Sequence, residues 1–216
     1  MTTHLTANPW DSGNDELERF ALEECVKRQR IDHRVSALIV SDKRCELAPK
    51  LANLGAHVVI VDRPEFQQEI EGRILASGLR DQISFLPSAL TALPEIFPGQ
   101  PFDIIILRRG LCGLPYEKAR QTIRHLLLQL RIGGKLYVSV LGLHSELGQG
   151  YAAGNEFVEQ RFAPLAPSLS EKYDIRHPVC LYTERNLFML LLEAGASVLR
   201  TLTTTYGNIK GVAVRV

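Results

Sequence analysis

Residues 35–62 read VSALIVSDKRCELAPKLANLGAHVVIVD. VSALIV (35–40) is an apolar run of strand length, the pattern of a strand buried on both faces. HVVIV (57–61) is a second such run, and Asp62 follows it. A polar turn, a short helix-forming stretch and Gly55 lie between them. Strand, helix and strand in this order form one βαβ unit, the building block of a parallel sheet. Where such a unit holds a nucleotide, a glycine-rich turn after the first strand lets the backbone approach the ligand. Here that turn is Ser41-Asp42-Lys43-Arg44-Cys45, with no glycine. Pro49 would cost about 3 kcal/mol inside a helix but is tolerated at its start. The reading predicts a long loop over 41–48 and a short helix over 49–54, ended by Gly55.

The same alternation continues outward. Pro64 opens a helix over 65–77, and strands follow at 83–86 and 102–107. A helix over 117–130 carries Ala119, Ile123, Leu126, Leu127 and Leu130 on one face. Gly133-Gly134 then turns the chain into a strand over 135–141. Residues 142–182, rich in Gly, Pro and Ser, read as an insertion over the sheet's C-terminal edge. Thr183 caps a helix over 184–194, closed by Gly195. Runs 197–205 and 209–216 flank Tyr206-Gly207-Asn208, a hairpin signal. On the N-terminal side, residues 1–13 form an arm with Trp10 as an anchor. A helix over 14–30 follows, capped by Asn14 or Asp15, with Leu17, Phe20, Ala21 and Cys25 at helical spacing. The fold class is thus α/β: a doubly wound, mostly parallel seven-stranded sheet with a C-terminal antiparallel hairpin. Residues 35–216 form one domain, and 1–34 an arm and helix.

The chain has 216 residues, enough for one domain with a sizeable core. Hydrophobic content is 45%, charged content 23% and net charge +1, so no global field argues for nucleic acid or a membrane surface. The first residues lack an apolar signal core, and no apolar run reaches membrane-spanning length. Cys25, Cys45, Cys112 and Cys180 are scattered, which suits reduced thiols and a cytoplasmic location better than a disulfide framework or metal site. No His or Cys pair stands at metal-ligand spacing.

A parallel sheet ending in an antiparallel hairpin is the layout of the class I S-adenosylmethionine-dependent methyltransferases, and residues 35–216 resemble that family. Leu54–Asp62 resembles its first helix end, second strand and ribose-binding acid. Phe102–Leu107 with Leu111–Pro115 resembles its fourth strand and following loop. Leu130–Leu136 is similar to its turn before strand five. The resemblance implies a Rossmann-like methyltransferase fold and S-adenosylmethionine as cofactor. It also implies a small-molecule acceptor, since no Asp/Asn-Pro-Pro-Tyr motif follows strand four. Counting back from Asp62 puts Ile39 at the family's strand-one acid, and Ser41, Lys43 and Cys45 at its glycines. Ser88-Ala89 takes the place of the acid that reads the adenine. Asp62 is left as the ribose acceptor, with a helix N-cap as its structural alternative. Under the same resemblance His144 and Tyr151 border the acceptor, where either can orient or deprotonate a nucleophile.

Charge at the turn opens a second reading. Lys43 and Arg44, with Arg108 and Arg109 after the fourth strand, can converge at the sheet's C-terminal edge. That set suits an anionic nucleotide or phosphate better than a sulfonium. Two functional expectations therefore stand. One is a methyltransferase acting on a small molecule. The other is a catalytically inactive relative, a pseudoenzyme, that has lost cofactor binding. It would work through a protein partner, through a homodimer or through an anionic ligand.

Overall fold

The computed structural model describes residues 16–41 and 45–216. Trp10, Asn14, Asp15, Lys43 and Arg44 lie outside the described residues, and so do the expectations attached to them. The elements are α1 (Glu16–Arg28), β1 (Ser36–Val40), α2 (Leu47–Asn53), β2 (His57–Asp62), α3 (Gln67–Ser77), β3 (Ile83–Pro87), β4 (Phe102–Arg108), α4 (Tyr116–Gln129), β5 (Leu130–Val140), α5 (Pro167–Tyr173), α6 (Glu184–Glu193), β6 (Ser197–Thr203) and β7 (Ile209–Val214). The strands form one seven-stranded sheet in the order β3-β2-β1-β4-β5-β7-β6. The first five are parallel, and β7 runs antiparallel between β5 and β6. Strand order reverses at β1 and β4, so the crevice above their C-terminal ends is the natural ligand site of an open α/β sheet.

Strand side chains alternate between two cores, as a period of two requires. Ala37, Ile39, Ile104, Ile106 and Tyr137 face one side, where Leu17 and Ala21 of α1, Leu47 and Leu51 of α2 and Ile70 of α3 cover them. Leu38, Val40, Ile105, Leu107 and Val138 face the other, under α4 and α6. Residues 142–182 pack onto this second core through Leu147, Tyr151, Val158, Leu165 and Leu169. All five β1 residues are buried, which explains the apolar run Ala37–Val40.

Two local expectations shift. α2 begins at Leu47, ahead of Pro49, so the loop before it is shorter than predicted. Pro49 sits in the first helical turn, where a backbone N–H has no intrahelical partner to lose. Gly133-Gly134 does not end in a turn before β5. It lies inside β5, where pairing with β4 jumps from Phe102↔Leu130 to Ile104↔Lys135. Gly133 has a φ of 77° there, so the doublet forms a bulge. The cap at Thr183 is as predicted: its side chain accepts from the Asn186 N–H in a reciprocal capping box.

Helix α1 runs from the C-terminal edge of the sheet to the N-terminal edge. Glu18 meets Arg108 at the first edge, and Arg28 meets Asp103 at the second, 3.6 Å away. Asp103, 1% exposed, also accepts from the Ser36 N–H at 2.9 Å and lies 3.0 Å from Arg131. Glu24 bonds Lys135 and Arg28, each at 2.6 Å. These pairs clamp the helix along its length.

Candidate ligand site at the C-terminal edge

The two described residues that flank the turn after β1, Ser41 and Cys45, are non-glycine residues with positive φ. Ser41 has a φ of 64° and Cys45 a φ of 52°. Each L-residue in this left-handed region costs about 1–2 kcal/mol. Arg109, after β4, has a φ of 52° as well. The Ser41 N–H donates to the Val61 carbonyl at 2.9 Å and the Arg109 N–H to Ser139 at 2.7 Å, so both residues are tied into the sheet edge. Cys45 is buried.

Asp62 ends β2 and is 7% exposed. Its Oδ1 accepts from the Arg63 N–H at 2.7 Å. The 3-10 turn over Pro64–Phe66 has Arg63 at its N-cap and no side-chain cap bond, so Asp62 does not serve that turn as a helix cap. Ser88 follows β3. Its N–H donates to the Asp62 carbonyl at 2.8 Å, and its hydroxyl donates to the Ala92 carbonyl at 2.8 Å. Ala89 precedes the 3-10 turn Leu90–Ala92 in extended conformation. Ser41, Cys45, Asp62, Ser88 and Arg108 thus share one edge. Ile39 is fully buried among apolar neighbours one strand-layer below.

Arg108 has an internal partner that local sequence reading missed. Glu18 of α1 is 2% exposed and makes an ion pair with Arg108; Lys50 of α2 lies 3.2 Å from the same carboxylate. The signal was present as a carboxylate in line with Ala21 and Cys25 on the apolar face of α1, spaced by three and four residues as helix neighbours are.

The two residues expected near an acceptor stand apart in character. His144 is exposed in the loop after β5. Tyr151 is 5% exposed; its hydroxyl donates to the Val179 carbonyl at 2.5 Å and accepts from the Ala163 N–H at 3.3 Å. Burial pushes that phenol up to about 12. Beside the β3 exit, a cavity of about 480 Å³ opens between the Leu90–Ala92 turn and α4. Leu93, Leu114 and Pro115 line it together with Lys118, Thr122 and His125. Among the described residues, no cluster of three His, Cys, Asp or Glu side chains could hold a metal, and no helix is long and apolar enough to cross a membrane.

No family model matches the chain, and no curated protein matches its sequence. Solved structures do. An S-adenosylmethionine-dependent methyltransferase from Clostridium acetobutylicum ATCC 824 is 13% identical, with a TM-score of 0.68 over 92% of this chain and 90% of that one. An O-methyltransferase family 2 protein from Planctomyces limnophilus DSM 3776, solved in complex with apigenin, is 14% identical, with a TM-score of 0.63 over 92% of this chain. The [4+2]-cyclase SpnF is 18% identical, with a TM-score of 0.60 over 88% of this chain. This chain spans 58% of the Planctomyces protein and 60% of the cyclase. At these identities the likeness establishes the fold, that of the class I S-adenosylmethionine-dependent methyltransferases.

Proposed function

We propose that this protein binds S-adenosylmethionine at the C-terminal edge of the sheet and transfers its methyl group to a small molecule. The observation that carries the reading is the left-handed backbone at Ser41 and Cys45. Held at a cost in non-glycine residues, such backbone marks places where a function over-determines the shape. The residues fit the cofactor at this backbone and at Asp62, whose buried carboxylate ends β2 where the ribose hydroxyls need an acceptor. They do not supply the strand-one acid, at Ile39, or an adenine-reading acid, at Ser88. When bound, the cofactor supplies an electrophilic methyl on a sulfonium. Glu18 favours that cation, because its carboxylate offsets the Arg108 charge that would repel it. Alignment of the acceptor suffices for many methyl transfers, so a general base is not required of His144 or Tyr151. The 480 Å³ cavity by Leu93 and Leu114 is of small-molecule size and largely apolar, which supports a small acceptor over a macromolecule.

Titration calorimetry with S-adenosylhomocysteine tests the reading. One site with a Kd in the micromolar range, weakened at least about tenfold by Asp62→Ala, is expected. Absence of binding at millimolar ligand overturns it.

A second reading has its own support. The buried Ile39, the Ser88 hydroxyl spent on Ala92, and a cyclase sharing the fold all favour a chain that has left methyl transfer. In that case the protein acts by binding a partner or a second copy. Absence of S-adenosylhomocysteine binding, together with a stable complex with a second copy or a partner in light scattering, distinguishes it.

A further inference from the structure

Arginines with unspent donors also gather at the opposite edge of the sheet. A cavity of about 480 Å³ opens at the N-terminal ends of β1, β2 and β3, lined by Arg34, His57, Arg80, Asp81 and Arg131. Val58, Val59 and Gly99 line it as well. Arg131 is held from behind by buried Asp103, 3.0 Å away. Arg34 uses its Nε on the Gly55 carbonyl at 2.8 Å, which leaves both Nη groups for a ligand. Arg80 makes no hydrogen bond or ion pair with any described residue. Burial, and then the Arg34 charge, hold His57 below its ordinary value, so the positive field of Arg34 reaches across the mouth.

We infer that this cavity is a binding site for a small phosphorylated molecule. Two guanidiniums with unspent N–H groups, Arg34 and Arg80, line the one cavity and match a phosphate dianion in charge. Arg131, backed by Asp103, adds a third guanidinium, His57 offers a neutral imidazole at neutral pH, and Asp81 is the acidic residue of the lining. A concave site of this volume takes a phosphate with a sugar-sized body. A net charge of +1 over the whole chain argues against a polyanion track. The inference is independent of methyl transfer, because its residues sit at the other end of the strands from Ser41, Asp62 and Arg108.

The probes are inorganic phosphate, ribose 5-phosphate and succinate, titrated calorimetrically into the full chain at low and moderate salt. Saturable one-site binding of ribose 5-phosphate is expected, with phosphate competing and succinate not. Arg80→Ala should weaken it at least about tenfold, and Arg80→Glu should abolish it. Arg80 is exposed and unbonded, so both variants should melt like the parent. Asp62→Ala and Arg108→Met should leave the affinity unchanged. Equal binding of succinate overturns the phosphoryl assignment. Insensitivity to Arg80, or loss on Arg108→Met, overturns the location. If a single-stranded RNA binds through Arg80 while ribose 5-phosphate does not, the surface reads polyanions and the small-ligand site is refuted.

Discussion

Replacing Glu18 should damage this protein more than its place on a surface helix suggests. The carboxylate is 2% exposed, between Arg108 at 20% and Lys50 at 39%. Removing one member of a fully buried pair costs about 3–5 kcal/mol, because the remaining charge stays desolvated. Half-exposed pairs are worth about 0.2–1 kcal/mol. Arg108 lies nearer the buried limit and Lys50 nearer the exposed one. Glu18→Gln should therefore cost about 2–3 kcal/mol. A double-mutant cycle should give Glu18–Arg108 a coupling of about 2 kcal/mol and Glu18–Lys50 one below about 1 kcal/mol. Urea unfolding of the parent, Glu18→Gln, Arg108→Met, Lys50→Met and the two double variants measures both. A Glu18→Gln cost under about 0.5 kcal/mol would refute the claim that this carboxylate is a structural counter-ion. So would a Lys50 coupling larger than that of Arg108.

Ser41→Gly relieves about 1–2 kcal/mol of left-handed strain and returns about 0.5–1 kcal/mol as chain entropy. It should therefore stabilise slightly, whereas Ser41→Val should destabilise by about 1–3 kcal/mol; the order Gly, Ser, Val in denaturant midpoint is the check. A methyl group on Gly142 would overlap the Gly207 carbonyl oxygen, so Gly142→Ala should cost about 3 kcal/mol or more, read by thermal unfolding. Burial pulls the Glu24 carboxyl up, but hydrogen bonds from Lys135 and Arg28 outweigh it and leave the group below 4.5. Its pairs therefore stabilise the fold above about pH 4.5 and are lost as pH falls through the lower folded value. Glu24→Gln should flatten the stability profile between about pH 5 and about pH 3, measured by urea melts. Burial lifts the Cys112 thiol to about 12 and those of Cys25 and Cys180 to about 11. All four cysteines are buried, so Ellman's reagent at neutral pH should label none until the protein unfolds.

What was legible in the sequence was the part that local pattern encodes. β1 and β4 are buried on both faces and so carry the apolar runs Ala37–Val40 and Ile104–Leu107. The α6 cap reads from Thr183 and Asn186, three residues apart. The α2 start was misplaced because a first-turn proline and an N1 proline look alike without the backbone. The β5 bulge was hidden because Gly133-Gly134 signals a turn and a bulge equally. The position of Asp62 at the end of β2 was legible from the apolar run before it. The Glu18–Arg108 pair was not, because its members are 90 residues apart and meet only when α1 lies across the sheet. Tyr151 was equally opaque: its two hydrogen-bond partners, Val179 and Ala163, come from later turns of the same segment.

Shape and charge at the C-terminal edge support the proposed cofactor site from different residues. Four non-glycine residues among those described have positive φ, and three of them, Ser41, Cys45 and Arg109, follow β1 or β4. That is the pair of strands between which the sheet reverses its order. A turn that only connected elements could relax toward ordinary backbone angles and recover about 1 kcal/mol or more per residue. The positive φ kept at Ser41, Cys45 and Arg109 by the switch point fits the proposed cofactor cradle. Such a cradle tolerates the loss of glycine if the β-carbons point away from the ligand. Glu18 offsets the Arg108 charge near it, which favours the cationic sulfonium of the proposed cofactor. At the other edge, Arg34 and Arg80 keep donors that no described residue uses. The two proposals thus assign ligands of opposite charge to the two ends of one sheet, and a single-edge variant at Asp62 or at Arg80 should silence one while sparing the other.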